Sequence, residues 1–225
     1  MPPYSESASN NHREADLRAL IVIIGSVFVA PLAGWPLHAG GWYWDIGNGI
    51  GFAAFGGLLY LMISSNRQFD VTAHKVLGYL VLALTLSHVF WFLLGDAATI
   101  EYMKFGAPGY MWLGLVSLLL LFVLLTIALP PERTRVHRQY SDFKYWHRFV
   151  AIATIACAAY HIVISGFYLN GWTQALLFIA IATATCLERD RWARLVGPRL
   201  PTPVVFVAVS AFAAVAFAAA RNLGS

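Results

Sequence analysis

Residues 71–94 read VTAHKVLGYLVLALTLSHVFWFLL, and His74, Lys75 and His88 are the only basic or acidic side chains among them. An α-helix rises about 1.5 Å per residue, so a stretch of this length crosses the roughly 30 Å of hydrocarbon in a bilayer. Six further apolar stretches lie on either side, at 17–37, 46–63, 109–129, 143–169, 172–187 and 203–220. The sixth in chain order is short, and the seventh is Ala-rich and only weakly hydrophobic. The composition agrees, with 59% hydrophobic and 12% charged residues against the roughly one quarter charged of a soluble domain. A freely soluble chain and a disordered one are both excluded. The expected fold is an all-α integral membrane protein, a bundle of six core transmembrane helices plus a seventh.

The charges orient this bundle. With the N-terminus in the cytoplasm, the inside segments carry Arg13, Arg18, Arg67, Lys75, Arg133, Arg135, Arg138, Lys144, Arg148, Arg189, Arg191, Arg194 and Arg199. The outside segments carry only Lys104 and Arg221, together with Asp45, Asp96 and Glu101. Such a bias is the positive-inside pattern, and it accounts for the net charge of +4 without nucleic acid. Trp35, Trp42, Trp44, Trp91 and Trp172 fall at the outer boundary and Trp146 and Trp192 at the inner one, as an aromatic belt does. The expected location is the inner (plasma) membrane, multi-pass. Residues 1–16 read as a loose cytoplasmic segment. No cleavage signal follows them, so the first span is expected to be retained. Residues 17–190 form the main transmembrane domain, and 191–225 a basic cytoplasmic segment with the last helix. The chain contains no GxGxxG and no phosphate-binding loop, so nucleotide chemistry would have to come from another chain. Cys157 and Cys186 form no CxxC and say little about redox compartment. In GNGIGFAAFGG, Gly47 and Gly51 have GxxxG spacing, which reads as close helix packing.

Four of the seven histidines lie inside spans. His74 and His88 are fourteen residues apart on the third helix, and His147 and His161 fourteen apart on the fifth. Fourteen helical residues rise about 21 Å and turn about 1400°, close to four full turns. Each pair therefore shares a face, with one member near each side of the membrane. The third and fifth helices run in the same direction, so His74 and His147 share the inner level and His88 and His161 the outer one. Each level then offers two imidazoles from two helices, which suits the two axial positions of a planar metal macrocycle. The stripes between them read Gly78, Val81, Thr85 and Ala151, Thr154, Ala158, none of them bulky. The competing readings are small residues that serve helix packing and histidines that serve polar packing or a proton relay. A zinc site wants its ligands within a few ångström of each other and fits separated pairs less well.

The two segments HKVLGYLVLALTLSH (74–88) and HRFVAIATIACAAYH (147–161) resemble the paired HX13H motifs of the ferric reductase-like transmembrane domain. That family includes ferric reductases, NADPH oxidases and the bacterial heme subunit of a methionine sulfoxide repair system. The resemblance covers about the first six spans. It implies two heme b groups, with His74 and His147 axial to the inner iron and His88 and His161 axial to the outer one, and electron transfer across the bilayer. The NADPH oxidases usually have one residue less in the second pair, so the chain looks closer to the reductase branch. Two departures stand out. Members that carry FAD- and NAD(P)H-binding domains place them after the sixth span, where this chain has a seventh. The fifth helix also has no aromatic between Phe149 and Tyr160 of the kind some relatives place between the hemes; Tyr79 is a weaker substitute.

Lys75 and Arg148 each follow an inner histidine and could reach heme propionates, although the positive-inside rule explains them equally well. Arg67 and Lys144 are weaker candidates. The clusters Arg133, Arg135, Arg138 and Arg189, Arg191, Arg194 read first as a solvated inner face and second as a dock for an acidic donor. His12 and His137 read as loop residues, and His38 could approach the outer heme or an acceptor. Three functions are compatible with these features. The first is the electron-transfer subunit of an oxidoreductase, served by a cytoplasmic flavoprotein with FAD or FMN and delivering to an outer, periplasmic acceptor. The second is a quinol-linked cytochrome b feeding a periplasmic enzyme. The third is a non-catalytic heme-binding subunit for assembly, stability or transport.

Overall fold

The computed structural model describes residues 6–34, 40–63, 71–128, 140–188, 191–192 and 201–223, with side chains from Leu17 onward apart from those of residues 98, 103 and 140. Seven α-helices occur among them: α1 Glu6–Leu32, α2 Trp42–Met62, α3 Val71–Gly95, α4 Gly109–Ile127, α5 Tyr140–Ser165, α6 Trp172–Leu187 and α7 Pro203–Leu223. A short 3-10 helix, Ala97–Met103, joins α3 to α4, and the described residues contain no strand. One helix lies over each of the seven expected stretches. In α3, α4, α7 and residues 141–165 of α5 the helix is long and apolar enough to cross a membrane, while the apolar parts of α1 and α6 are shorter. The protein is an all-α, multi-pass membrane protein.

The helix ends follow local chemistry. Pro203 opens α7 where a missing N–H costs nothing, and the Thr202 hydroxyl accepts the Val205 N–H at 3.4 Å. Gly166 adopts φ 68°, a left-handed conformation that closes α5 four residues before the apolar run ends. The chain then folds back, and Tyr168 and Leu169 are buried rather than helical. At the other end of the chain, α1 extends back to Glu6, through the polar segment expected to be loose. Extending a helix already nucleated by its apolar part costs far less than starting one.

The Gly- and Ala-rich spans α2 and α7 contribute much of the core. Gly-rich α2 is central and packs against α1, α3, α5, α6 and α7. A Cβ on Gly56 would stand 3.1 Å from Ile24 Cα of α1, and one on Gly49 would stand 3.0 Å from Ala214 Cα of α7. Small residues let backbones approach where lipid supplies no hydrophobic driving force. The seventh stretch, expected to be weakly hydrophobic, is instead apolar enough to span, and its Ala content fits it to α2. Phe206, Phe217 and Ala218 of α7 are buried, and Phe217 packs on Phe28 and Phe52 at ring separations of 5.4 and 5.6 Å. α7 is an integral part of the core, not an appendage.

Trp35, His38, Arg67, Arg133, Arg135, His137, Arg138, Arg189, Arg194 and Arg199 lie outside the described residues, as do the side chains of His12 and Arg13. Arg191 pairs with Glu188 at 2.9 Å.

Candidate functional site

The four histidines sit on two helical hairpins. α3 packs on α2, and α5 packs on α4. At one level, His74 of α3 and His147 of α5 stand with ring centroids 6.3 Å apart and planes at 59°. An imidazole nitrogen binds a metal at about 2 Å, so two rings facing one ion need centroids about 6 Å apart. Phe143, one turn before His147, stacks on its ring at 5.3 Å and 29°. His147 Nδ1 is buried with no hydrogen-bond partner among the described residues. A buried polar atom left unpaired is costly and calls for a group to meet it.

At the other level, His88 of α3 and His161 of α5 line one cavity between the two hairpins. Gly51, Thr85, Gly114 and Ala158 lie on its walls, and Asn48, Thr99, Tyr102 and Tyr168 add polar groups. His88 Nδ1–H donates to the Gly47 carbonyl at 2.8 Å, and His161 Nδ1–H donates to the Tyr110 carbonyl at 2.9 Å. A carbonyl only accepts, so the proton of each neutral ring is on Nδ1 and Nε2 keeps its lone pair. Metal-binding histidines are held in this way, with the second nitrogen donating to a fixed acceptor. Among the described residues no three His, Cys, Asp or Glu side chains cluster as a metal site; the donors come as pairs. Two pairs of imidazoles, one pair held through Nδ1 on backbone carbonyls and facing a cavity, fit axial ligation of a planar iron macrocycle.

The small-residue stripes divide between two roles. Thr85 and Ala158 line the cavity. Val81 is fully buried against α2, where a Cβ on Gly57 would meet it at 2.7 Å. The Thr154 carbonyl accepts from Ser117 of α4 at 3.0 Å. Packing therefore accounts for the middle of each stripe and the cavity for its end. Lys75 beside His74 is half-buried, whereas Arg148 beside His147 is exposed. Lys144 and Tyr79 are exposed, and Tyr79 does not line the cavity. Cys157 and Cys186 are free thiols.

Several residues at this site have little signature in the sequence. Gly47 and Gly51 read as helix packing, yet the carbonyl of one receives His88 and the other lies against its ring. Tyr110 and Gly114 play the same parts toward His161. Next to the cavity lies a buried polar cluster. Asp45 accepts from Arg221 Nε at 3.1 Å and from Asn222 Nδ2 at 2.7 Å. Asn48 donates to the Tyr168 hydroxyl at 3.2 Å, and the Arg221 guanidinium lies 4.6 Å over the Tyr168 ring. Burial first, and then the neighbouring Asp45 carboxylate, push the Tyr168 hydroxyl well above its ordinary pKa. Arg221, counted from the sequence among the outside charges, is thus a buried ion-pair partner.

Residues 67–158 match the family model described as the ferric reductase like transmembrane component. The matched stretch holds His74, His88 and His147 and ends three residues before His161. No curated protein and no solved structure gives a significant match to this chain. The match falls on the helices that carry the paired histidines, so the 67–158 stretch is similar to the ferric reductase like transmembrane component.

Proposed function

We propose that this chain is a di-heme b-type cytochrome subunit that moves single electrons across the membrane, from a cytoplasmic flavoprotein or quinol to an acceptor on the outer side. The observation that carries the reading is the pairing itself: α3 and α5 each contribute one imidazole to each of two separate levels. Bound heme would supply reversible one-electron chemistry at iron. The chain supplies the ligands, their orientation and a low-dielectric enclosure. His74 and His147 would hold one group, and His88 and His161 the other. Held by two imidazoles each, such irons would be suited to electron transfer rather than to direct binding of oxygen. Lys75 and Arg148 are the propionate candidates at the inner level. The positive-inside bias supports the orientation, and the match over 67–158 supports the electron-transfer class.

Purified protein should contain about two low-spin b-type hemes per chain, with a difference spectrum that develops on reduction. Pyridine hemochrome quantification against protein concentration measures this. A native membrane preparation free of iron would end the proposal.

A further inference from the structure

A helical carbonyl already accepts one N–H from the residue four positions on, which leaves a single lone pair beside the side chain of that residue. A Cβ at that position obstructs a second donor arriving from a neighbouring helix. The two carbonyls that accept imidazole protons here, those of Gly47 and Tyr110, are each followed four residues later by glycine, at Gly51 and Gly114. A Cβ on Gly51 would lie 2.8 Å from His88 Nδ1, and one on Gly114 would lie 3.0 Å from His161 Nδ1. The same device thus occurs twice, on α2 for His88 and on α4 for His161.

We infer that Gly51 and Gly114 are positioning residues for the outer cavity: each uncovers a helix carbonyl so that an imidazole docks through Nδ1–H and turns Nε2 toward the space between the hairpins. This rests on the di-heme reading and names what fixes ligand geometry within it. A histidine whose second nitrogen donates to a fixed acceptor is the stronger and better oriented donor, and loss of such a partner typically weakens metal affinity about 10–100-fold.

The test uses the full chain with Gly51→Ala, Gly114→Ala and, as a packing control, Gly56→Ala, whose Cβ would meet α1 and no histidine. Low-spin EPR signals, midpoint potentials and heme retention during dilution are read for each. Both Gly51→Ala and Gly114→Ala should shift the EPR signal and potential of one and the same heme, the one that His88→Ala removes. Heme should also leave that site roughly 10–100-fold more readily. Gly56→Ala should lower thermal stability and leave both signals in place. Gly114→Ala makes the milder contact of the two and carries the test if Gly51→Ala fails to fold. Heme-replete variants with unmoved signals, or two variants that disturb different hemes, would overturn the assignment while leaving the di-heme reading intact. A wild-type protein without heme would remove that reading instead.

Discussion

His74→Ala and His147→Ala are each expected to abolish the same heme, so that heme content falls from about two per chain to about one with either change or with both together. The argument is geometric. Their rings are 6.3 Å apart on helices that otherwise stand across a gap, and both lie four helical turns from the second pair. An iron that loses one of two protein ligands loses its low-spin state, and a macrocycle held by a single imidazole in a hydrophobic bundle is retained poorly. His88→Ala and His161→Ala should form a second matching couple that spares the first. Redox titration with EPR of the four single variants and the two within-level doubles settles the pairing. A double no worse than either single is the expected pattern, since residues that act as one unit are not additive. If His74→Ala instead paired with His161→Ala, the two-level arrangement would be wrong. The proposed electron route would then need a different order.

What could be read from the sequence was what is local along a helix. Fourteen residues between histidines fix a shared face and a separation because helical register is a property of one segment, and residues 71–94 therefore revealed both a span and two ligand candidates. Partners across helices were not readable. A backbone carbonyl carries no side-chain signature, so nothing marked Gly47 or Tyr110 as an acceptor for imidazole. Gly51 was visible only as half of a GxxxG, a pattern that packing produces equally well. Val81 and Thr154 show that packing does claim part of such stripes. The last stretch read as weakly hydrophobic, yet α7 is more apolar than α3 or α5; what the sequence did not show is that its small residues pack on α2, with Ala214 opposite Gly49. Asp45 and Arg221, far apart in the chain and each ordinary alone, become a pair only through the contact of α2 with α7.

That pair sets the largest expected effect on folding. The Arg221 and Asp45 side chains are 7% and 0% exposed and 3.1 Å apart, and Asn222 holds the second carboxylate oxygen. Breaking a buried ion pair from one side leaves the other charge without its partner in a low-dielectric site, which costs about 3–5 kcal/mol. Arg221→Met and Asp45→Leu should each destabilise the purified protein by about this much, read as the loss of folded fraction on heating or in denaturing detergent. Removing both charges together is a different perturbation. A buried pair replaced by apolar residues of similar volume is often neutral. The double variant should therefore regain most of the stability lost by either single. The consequence extends to the cavity, because Asp45 lies one turn from Asn48 and two residues from the carbonyl that receives His88. A single variant that releases α7 from this end of α2 should also shift the EPR signal of the heme proposed to bind His88, while the signal proposed for His74 and His147 stays in place. Strictly additive losses in the double variant would mean that the two charges are stabilised independently, and the packing of α2 on α7 would then have to rest on apolar contacts such as those of Phe217 and Ala214.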